Sequence, residues 1–175
     1  MSPRFLALPL LAALGACASV GDLPTDRVGE ARLTYANGQP AGTVQLVDTN
    51  DNISMAVAVT GLAPGAHGFH LHTTGRCEGP DFTSAGGHLN PTGREHGALN
   101  PDGKHLGDFP NLEVGASRTA AVTVDLPGTR DAVLADIFDA DGTAVIVHAQ
   151  PDDYRTDPSG NAGARVACGV LTRAS

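Results

Sequence analysis

The tightest constraint on the fold is a two-residue alternation of large apolar with small or polar side chains. Ile53, Met55, Val57 and Val59 alternate with Ser54, Ala56, Ala58 and Thr60, and side chains at i and i+2 share one face of a strand. Such a segment reads as a half-buried strand. The same pattern recurs where Ala31, Leu33 and Tyr35 alternate with Arg32 and Thr34, and where Val44 and Leu46 alternate with Thr43 and Gln45. Asn37-Gly38 and Asn50-Asp51-Asn52 mark turns between these runs. Further strands are expected at 67–72, 120–126, 132–137, 144–148 and 166–171, and no stretch sustains a helical period. About eight short strands in a chain of 175 residues imply one all-β domain, a sandwich or barrel. The 22 glycines and 12 prolines show no G-x-y repeat and serve as turn residues. A formal charge of −8 argues against a nucleic-acid partner, which requires a basic face.

The N-terminus reads as an address. Arg4 supplies the positive end of a secretory signal, and residues 5–14 form an apolar stretch too short to span a bilayer. Leu14-Gly15-Ala16-Cys17 has the form of a lipobox, making residues 1–16 a signal peptide and Cys17 a lipidation site. Cleavage after Ala18 is the alternative, because Ala16-Cys17-Ala18 also fits the small-residue pattern. The lipobox is favoured, with residues 17–30 as a tether and 31–175 as the domain. Either route exports the protein, and acylation would place it in the periplasm on a membrane surface. With Cys17 lipidated or removed, Cys77 and Cys168 remain as a pair. In an oxidising compartment they are expected to form a disulfide, which would contribute roughly 4–5 kcal/mol by chain-entropy reasoning.

Two segments resist the strand reading. Residues 73–110 and 149–164 are longer than structureless connections usually are, and such loops tend to carry function. All seven histidines fall between Gly65 and Ala149. His70 and His72 form an H-x-H pair whose side chains share a strand face about 7 Å apart, close enough to converge on one metal ion. His148 ends another apolar strand and can meet them. The long loop offers His88, His96, His105 and Asp108, and three imidazoles with a carboxylate suit zinc.

Several motifs then carry a resemblance. His67-Gly68-Phe69-His70-Leu71-His72 and the segment Gly160-Asn161-Ala162-Gly163-Ala164-Arg165-Val166-Ala167-Cys168-Gly169-Val170 resemble the two signatures of copper/zinc superoxide dismutases. Gly87-His88-Leu89-Asn90-Pro91 and His105-Leu106-Gly107-Asp108 fit the same family, and the likeness runs from about Ala31 to Thr172. It implies an eight-stranded flattened Greek-key barrel of immunoglobulin-like sandwich type with two long functional loops. By that resemblance one copper per subunit is held by His70, His72, His88 and His148. One zinc is held by His88, His96, His105 and Asp108, and His88 bridges the two ions. Asp152 would accept hydrogen bonds from His70 and His96, and His67 would brace a neighbouring loop without binding metal.

The resemblance further implies disproportionation of superoxide to dioxygen and hydrogen peroxide by copper(II)/copper(I) cycling. Arg165 would guide the anion and His88 would deliver a proton. Because the chain is acidic overall, attraction would have to be local, around Arg165 and the metals, with Arg155 as a further contributor. The expected substrate is superoxide, the expected membrane contact is the lipid anchor alone, and association into a homodimer is left open. Two rival readings are a non-enzymatic metal buffer and an anchored adhesion sandwich with structural metals. Neither requires an arginine beside the metal cluster.

Overall fold

The computed structural model describes residues 26–174. The signal-like segment and Cys17 lie outside the described residues. Among the described residues there are ten strands: β1 (Asp26–Tyr35), β2 (Pro40–Asp48), β3 (Ile53–Thr60), β4 (Gly65–His67), β5 (Phe69–His72), β6 (Leu112–Val114), β7 (Thr119–Leu126), β8 (Ala144–His148), β9 (Arg165–Val170) and β10 (Thr172–Arg173). One sheet runs β5-β8-β9-β1-β2-β3-β7, with β10 also paired to β1, and β4 pairs with β6 in a second, two-stranded sheet. Every pairing among these strands is antiparallel. The crossings from β3 to β4 and from β7 to β8 give the curled sheet its Greek-key path. This is the all-β, Greek-key arrangement expected from the sequence.

The alternation works as written in the sequence. Ile53, Met55, Val57 and Val59 are buried, and β3 pairs in continuous register with β2 and with β7, from Ile53 opposite Leu126 to Thr60 opposite Thr119. Leu33, Val44, Leu46, Phe69, Leu71, Val145 and Val147 join them in one core.

Three expectations are corrected. Residues 132–137 are not a strand but part of a helix, α1 (Arg130–Ile137), which buries Val133, Leu134 and Ile137. Those positions follow i, i+1, i+4, one face of a helix, and alanine favours that state. Pairing of β1 reaches back to Asp26, opposite Asp48, so residues 26–30 belong to the domain and not to a tether. The strand expected at 67–72 is broken at Gly68, which lets two segments approach: a Cβ there would lie 3.0 Å from Ala162 Cβ and 3.3 Å from Asp152 N.

Strands β5 and β8 position the site. Phe69 and Leu71 lie opposite Val147 and Val145, while His70 and His72 lie opposite Ile146 and Ala144. The first set faces the core. The second set faces outward and is nevertheless buried, because the loops on either side fold over it. Phe82 and Ala85 from the first loop pack on Ala144, Ile146 and Cys168 in a smaller apolar cluster. Leu89 N donates to Leu71 O and Leu71 N to Gly107 O, so the same loop satisfies the free edge of β5. Gly107 is required there, since a Cβ would stand 2.5 Å from Leu71 O.

Leu46 is fully buried on β2, away from both loops. Leu46→Ala is expected to lower the unfolding free energy by about 2–5 kcal/mol, read from denaturant unfolding of the metal-free protein. A change under roughly half a kcal/mol would contradict the core described above.

Candidate metal centre

Two overlapping groups of four side chains each have the geometry to hold metal ions. His70, His72, His88 and His148 form one, and His88, His96, His105 and Asp108 the other; within each, one ligand atom per residue lies within 4.8 Å of all the rest. All seven residues are buried, His70 and His96 completely. His88 is common to both groups, and its ring stacks on His70 with centroids 3.9 Å apart.

The hydrogen bonds decide which nitrogen of each ring faces its group. Carbonyls and carboxylates only accept, so a ring nitrogen beside one must carry the proton. His70 Nε2 donates to Asp152 Oδ2 at 2.7 Å, His72 Nδ1 to Gly86 O at 2.9 Å, and His148 Nδ1 to Gly163 O at 3.2 Å. In the neutral rings His70 Nδ1, His72 Nε2 and His148 Nε2 are therefore lone pairs. These three atoms and His88 Nε2 are buried without any hydrogen-bond partner. Orphaned polar atoms are rare in folded proteins, and four converging lone pairs call for a cation.

The second group is built around a carboxylate. His96 Nε2 donates to Asp152 Oδ1 at 3.0 Å and His105 Nε2 to Arg94 O at 3.1 Å. Their Nδ1 atoms, with His88 Nδ1, lie 2.9–3.2 Å from the single oxygen Asp108 Oδ1. Asp108 Oδ2 instead accepts from the backbone N–H groups of Gly97 and His105. Three ring nitrogens around one carboxylate oxygen fit a divalent ion with nitrogen and oxygen ligands, and acceptors beyond the ligands fix each ring's tautomer.

Asp152 lies between the groups, bonded to His70 on one side and His96 on the other. Asn111 holds it from behind: Asn111 Nδ2 donates to Asp152 O and Asp152 N to Asn111 Oδ1. Gly160, at φ +64°, leaves the necessary space, since a Cβ there would sit 1.9 Å from Asp152 Oδ1. Sequence reasoning assigns this task to neither Asn111 nor Gly160, because only the folded chain brings them to Asp152. His67 binds neither group; its ring nitrogens face His148 O at 2.7 Å and Ala63 O at 2.9 Å.

A cleft of about 500 Å³ opens over His72, His88 and His148, with Arg165 in its wall. Arg165 donates to Phe82 O at 2.7 Å and Gly86 O at 2.6 Å. Both acceptors belong to the first loop, which the Cys77–Cys168 disulfide clamps to β9 across a separation of 91 positions. Arg155 is exposed and does not line this cleft; Arg94 does.

Without metal, the cluster resists protonation unevenly. Burial, aided by the neighbouring His88, pushes His72 down to about 2; burial and the nearby His70 push His148 to about 3. Burial likewise lowers His88 to about 4 and lowers His70. Burial also opposes charge on His96, but its hydrogen bonds to Asp108 and Asp152 outweigh that and raise it to about 9. Asp108 and Asp152 are held below the usual carboxylate range: burial disfavours their charge, and hydrogen bonds from the histidines overcome it.

Histidines with lowered values contribute stability above the unfolded value of about 6.5 and lose it as pH falls through and below that point. His96 has the opposite sign, contributing below about 6.5 and losing it as pH rises through about 9. Between about pH 6.5 and 4.5 the lowered histidines dominate, because His96 is protonated in both states. The metal-free protein is thus expected to lose stability steadily over that interval, seen as a falling urea midpoint. A flat midpoint would contradict this account of the site.

Comparison with known proteins points to one family. The family profile described as copper/zinc superoxide dismutase (SODC) matches residues 40–171. The chain is 40% identical to the "Superoxide dismutase-like protein YojM" of Bacillus subtilis, over 96% of this chain and 95% of the relative. It is also 40% identical to "Superoxide dismutase [Cu-Zn] 2" of Aquifex aeolicus, over 83% and 87% respectively. Among solved structures, a SOD-like protein from Bacillus subtilis superposes with a TM-score of 0.76 at 41% identity, covering 82% of this chain and 97% of that one. Copper and zinc are the cofactors of this family, and superoxide dismutation is its oxidoreductase activity. The chain belongs to the copper/zinc superoxide dismutase family.

Proposed function

We propose that the protein is an exported superoxide dismutase with a histidine-bridged pair of metals. In this reading His70, His72, His88 and His148 hold copper, His88, His96, His105 and Asp108 hold zinc, and His88 serves both. The observation that carries it is the set of four buried, partnerless imidazole nitrogens, one of them on the ring whose other nitrogen faces Asp108. A four-imidazole set suits copper, and a three-imidazole, one-carboxylate set suits zinc. Copper held there would supply the one-electron chemistry by which two superoxide ions and two protons become dioxygen and hydrogen peroxide.

The chain's own residues do the rest. Asp152 and the carbonyls of Gly86 and Gly163 hold three rings with their lone pairs aimed at one point. His88 Nε2 lies on the cleft side and is the ring position that could hold a proton for the reaction. Arg165 has two of its five N–H donors occupied by carbonyls, which fixes the fork and leaves the others for a small anion. Its place beside His72, His88 and His148 favours an enzyme over a metal buffer or an adhesion module, neither of which needs a cation there.

Reconstituted with both metals, the protein is expected to remove superoxide rapidly. Arg165→Ala should lower that rate about tenfold or more at unchanged copper content. Normal copper binding with no superoxide loss would overturn the enzymatic reading. Removing zinc should alter the electron paramagnetic resonance spectrum of copper, and an unchanged spectrum would remove the His88 bridge.

Export and anchoring form the second part of the proposal: residues 1–16 direct secretion, and acylated Cys17 tethers the domain in the periplasm. The full chain expressed with radiolabelled palmitate is expected to take up label that Cys17→Ala abolishes. An unlabelled product beginning at Ser19 would show cleavage after Ala18 instead.

A further inference from the structure

We propose that Tyr154 is a positioning residue of the metal centre: its hydroxyl fixes Asn111, and through Asn111 the Asp152 carboxylate that orients His70 and His96 together. The proposal rests on the reading of the two ligand groups as metal sites, and Tyr154 supplies no atom to either group.

Three residues form a closed ring of hydrogen bonds. Asn111 Nδ2 donates to Asp152 O at 3.0 Å, and Asp152 N donates to Asn111 Oδ1 at 2.8 Å. Tyr154 N donates to Asp152 Oδ1 at 2.6 Å, the same oxygen that accepts from His96 Nε2. The Tyr154 hydroxyl oxygen closes the ring by accepting from Asn111 N at 2.8 Å. Asn111 directly precedes β6, whose Leu112 lies opposite His67 of β4. The phenol therefore ties the second loop to the sheet at the residue that holds Asp152.

The backbone of Tyr154 reaches the other loop as well. Its carbonyl accepts from Leu99 N at 3.0 Å, and a Cβ on Gly97 would collide with that carbonyl. Gly97 N in turn donates to Asp108 Oδ2 at 2.9 Å. Tyr154 thus lies where the second loop meets the segment carrying His96. It adopts φ +61°, in the left-handed region that bulky side chains rarely enter. Such strain persists only where the surrounding contacts over-determine it, and it concentrates at functional sites. Glycine or asparagine would adopt that backbone more readily, but neither presents an oxygen at the end of a rigid ring. In a buried network, loosening one member loosens those bonded to it. Removing a partner that orients a ligand directly costs about 10–100-fold in metal affinity. Tyr154 acts one contact further out, so its effect should be smaller.

The test compares Tyr154→Phe, which keeps the ring and removes only the hydroxyl, with the unaltered protein, each also in an Asn111→Ala background. Two quantities are followed. One is the rate at which a chelator strips zinc from the copper- and zinc-loaded protein. The other is the exchange with solvent of the His70 and His96 Nε2 protons in the metal-free protein, read by nitrogen-edited NMR. Tyr154→Phe is expected to make both about three- to tenfold faster. In the Asn111→Ala background, removing the hydroxyl should add nothing, because the link it acts through is gone. Zinc release and ring-proton exchange that both match the unaltered protein would overturn the proposal. An equal acceleration in the Asn111→Ala background would do the same, since the hydroxyl would then act elsewhere. So would matching acceleration of the backbone amides of β3, which marks a loss of general stability. If the unaltered protein takes up no zinc or copper, the metal reading fails, and exchange of the two ring protons still decides the role of Tyr154.

Discussion

Everything at the site depends on hydrogen bonds that dictate which nitrogen of each imidazole points inward. A neutral imidazole has one donor and one acceptor nitrogen, and the wrong choice would leave protons where lone pairs are needed. Here five acceptors settle it: the two oxygens of Asp152 and the carbonyls of Gly86, Arg94 and Gly163. These acceptors come from both long loops, and Asp152 alone joins His70 on β5 to His96 on the first loop. His88 is the exception. Among the described residues, neither of its ring nitrogens meets an acceptor outside the two candidate groups.

The sheet makes this arrangement possible by burying both faces of β5 and β8. On the inner face Phe69, Leu71, Val145 and Val147 belong to the main core; on the outer face His70, His72 and His148 lie among Ala144 and Ile146 under the loops. The loops hold their places through backbone bonds to the edge of β5, through Phe82 and Ala85 packed on the outer face, and through the Cys77–Cys168 bond. The disulfide also bears on the cleft, because the clamped segment supplies Phe82 O and Gly86 O to Arg165, and Gly86 O accepts from His72 as well. Stability of the fold and orientation of the site therefore draw on the same contacts.

Charge is organised on two scales. The whole chain is acidic, yet the groups lining the cleft include two arginines and one engaged carboxylate. Inside, the surrounding histidines favour the ionised forms of Asp108 and Asp152, and those carboxylates raise His96 to about 9.

The sequence alone determined the strand class, the inner faces and which residues gather in the two candidate groups. Period-two alternation sorts side chains by face without reference to the rest of the chain, and H-x-H on such a strand places two imidazoles on one side. The seven residues of the two ligand groups were all legible by type and motif. Residues 132–137 were not, because their apolar positions suit either period over so short a span, and packing chose the helix. Only the tertiary structure decided that Asn111 and Gly160 support Asp152, that Gly68 breaks the strand, and that Arg94 rather than Arg155 lines the cleft. Those outcomes depend on close approaches between segments distant in the chain. Local pattern specifies which face a residue occupies, but the space left for it is set by whatever folds against that face.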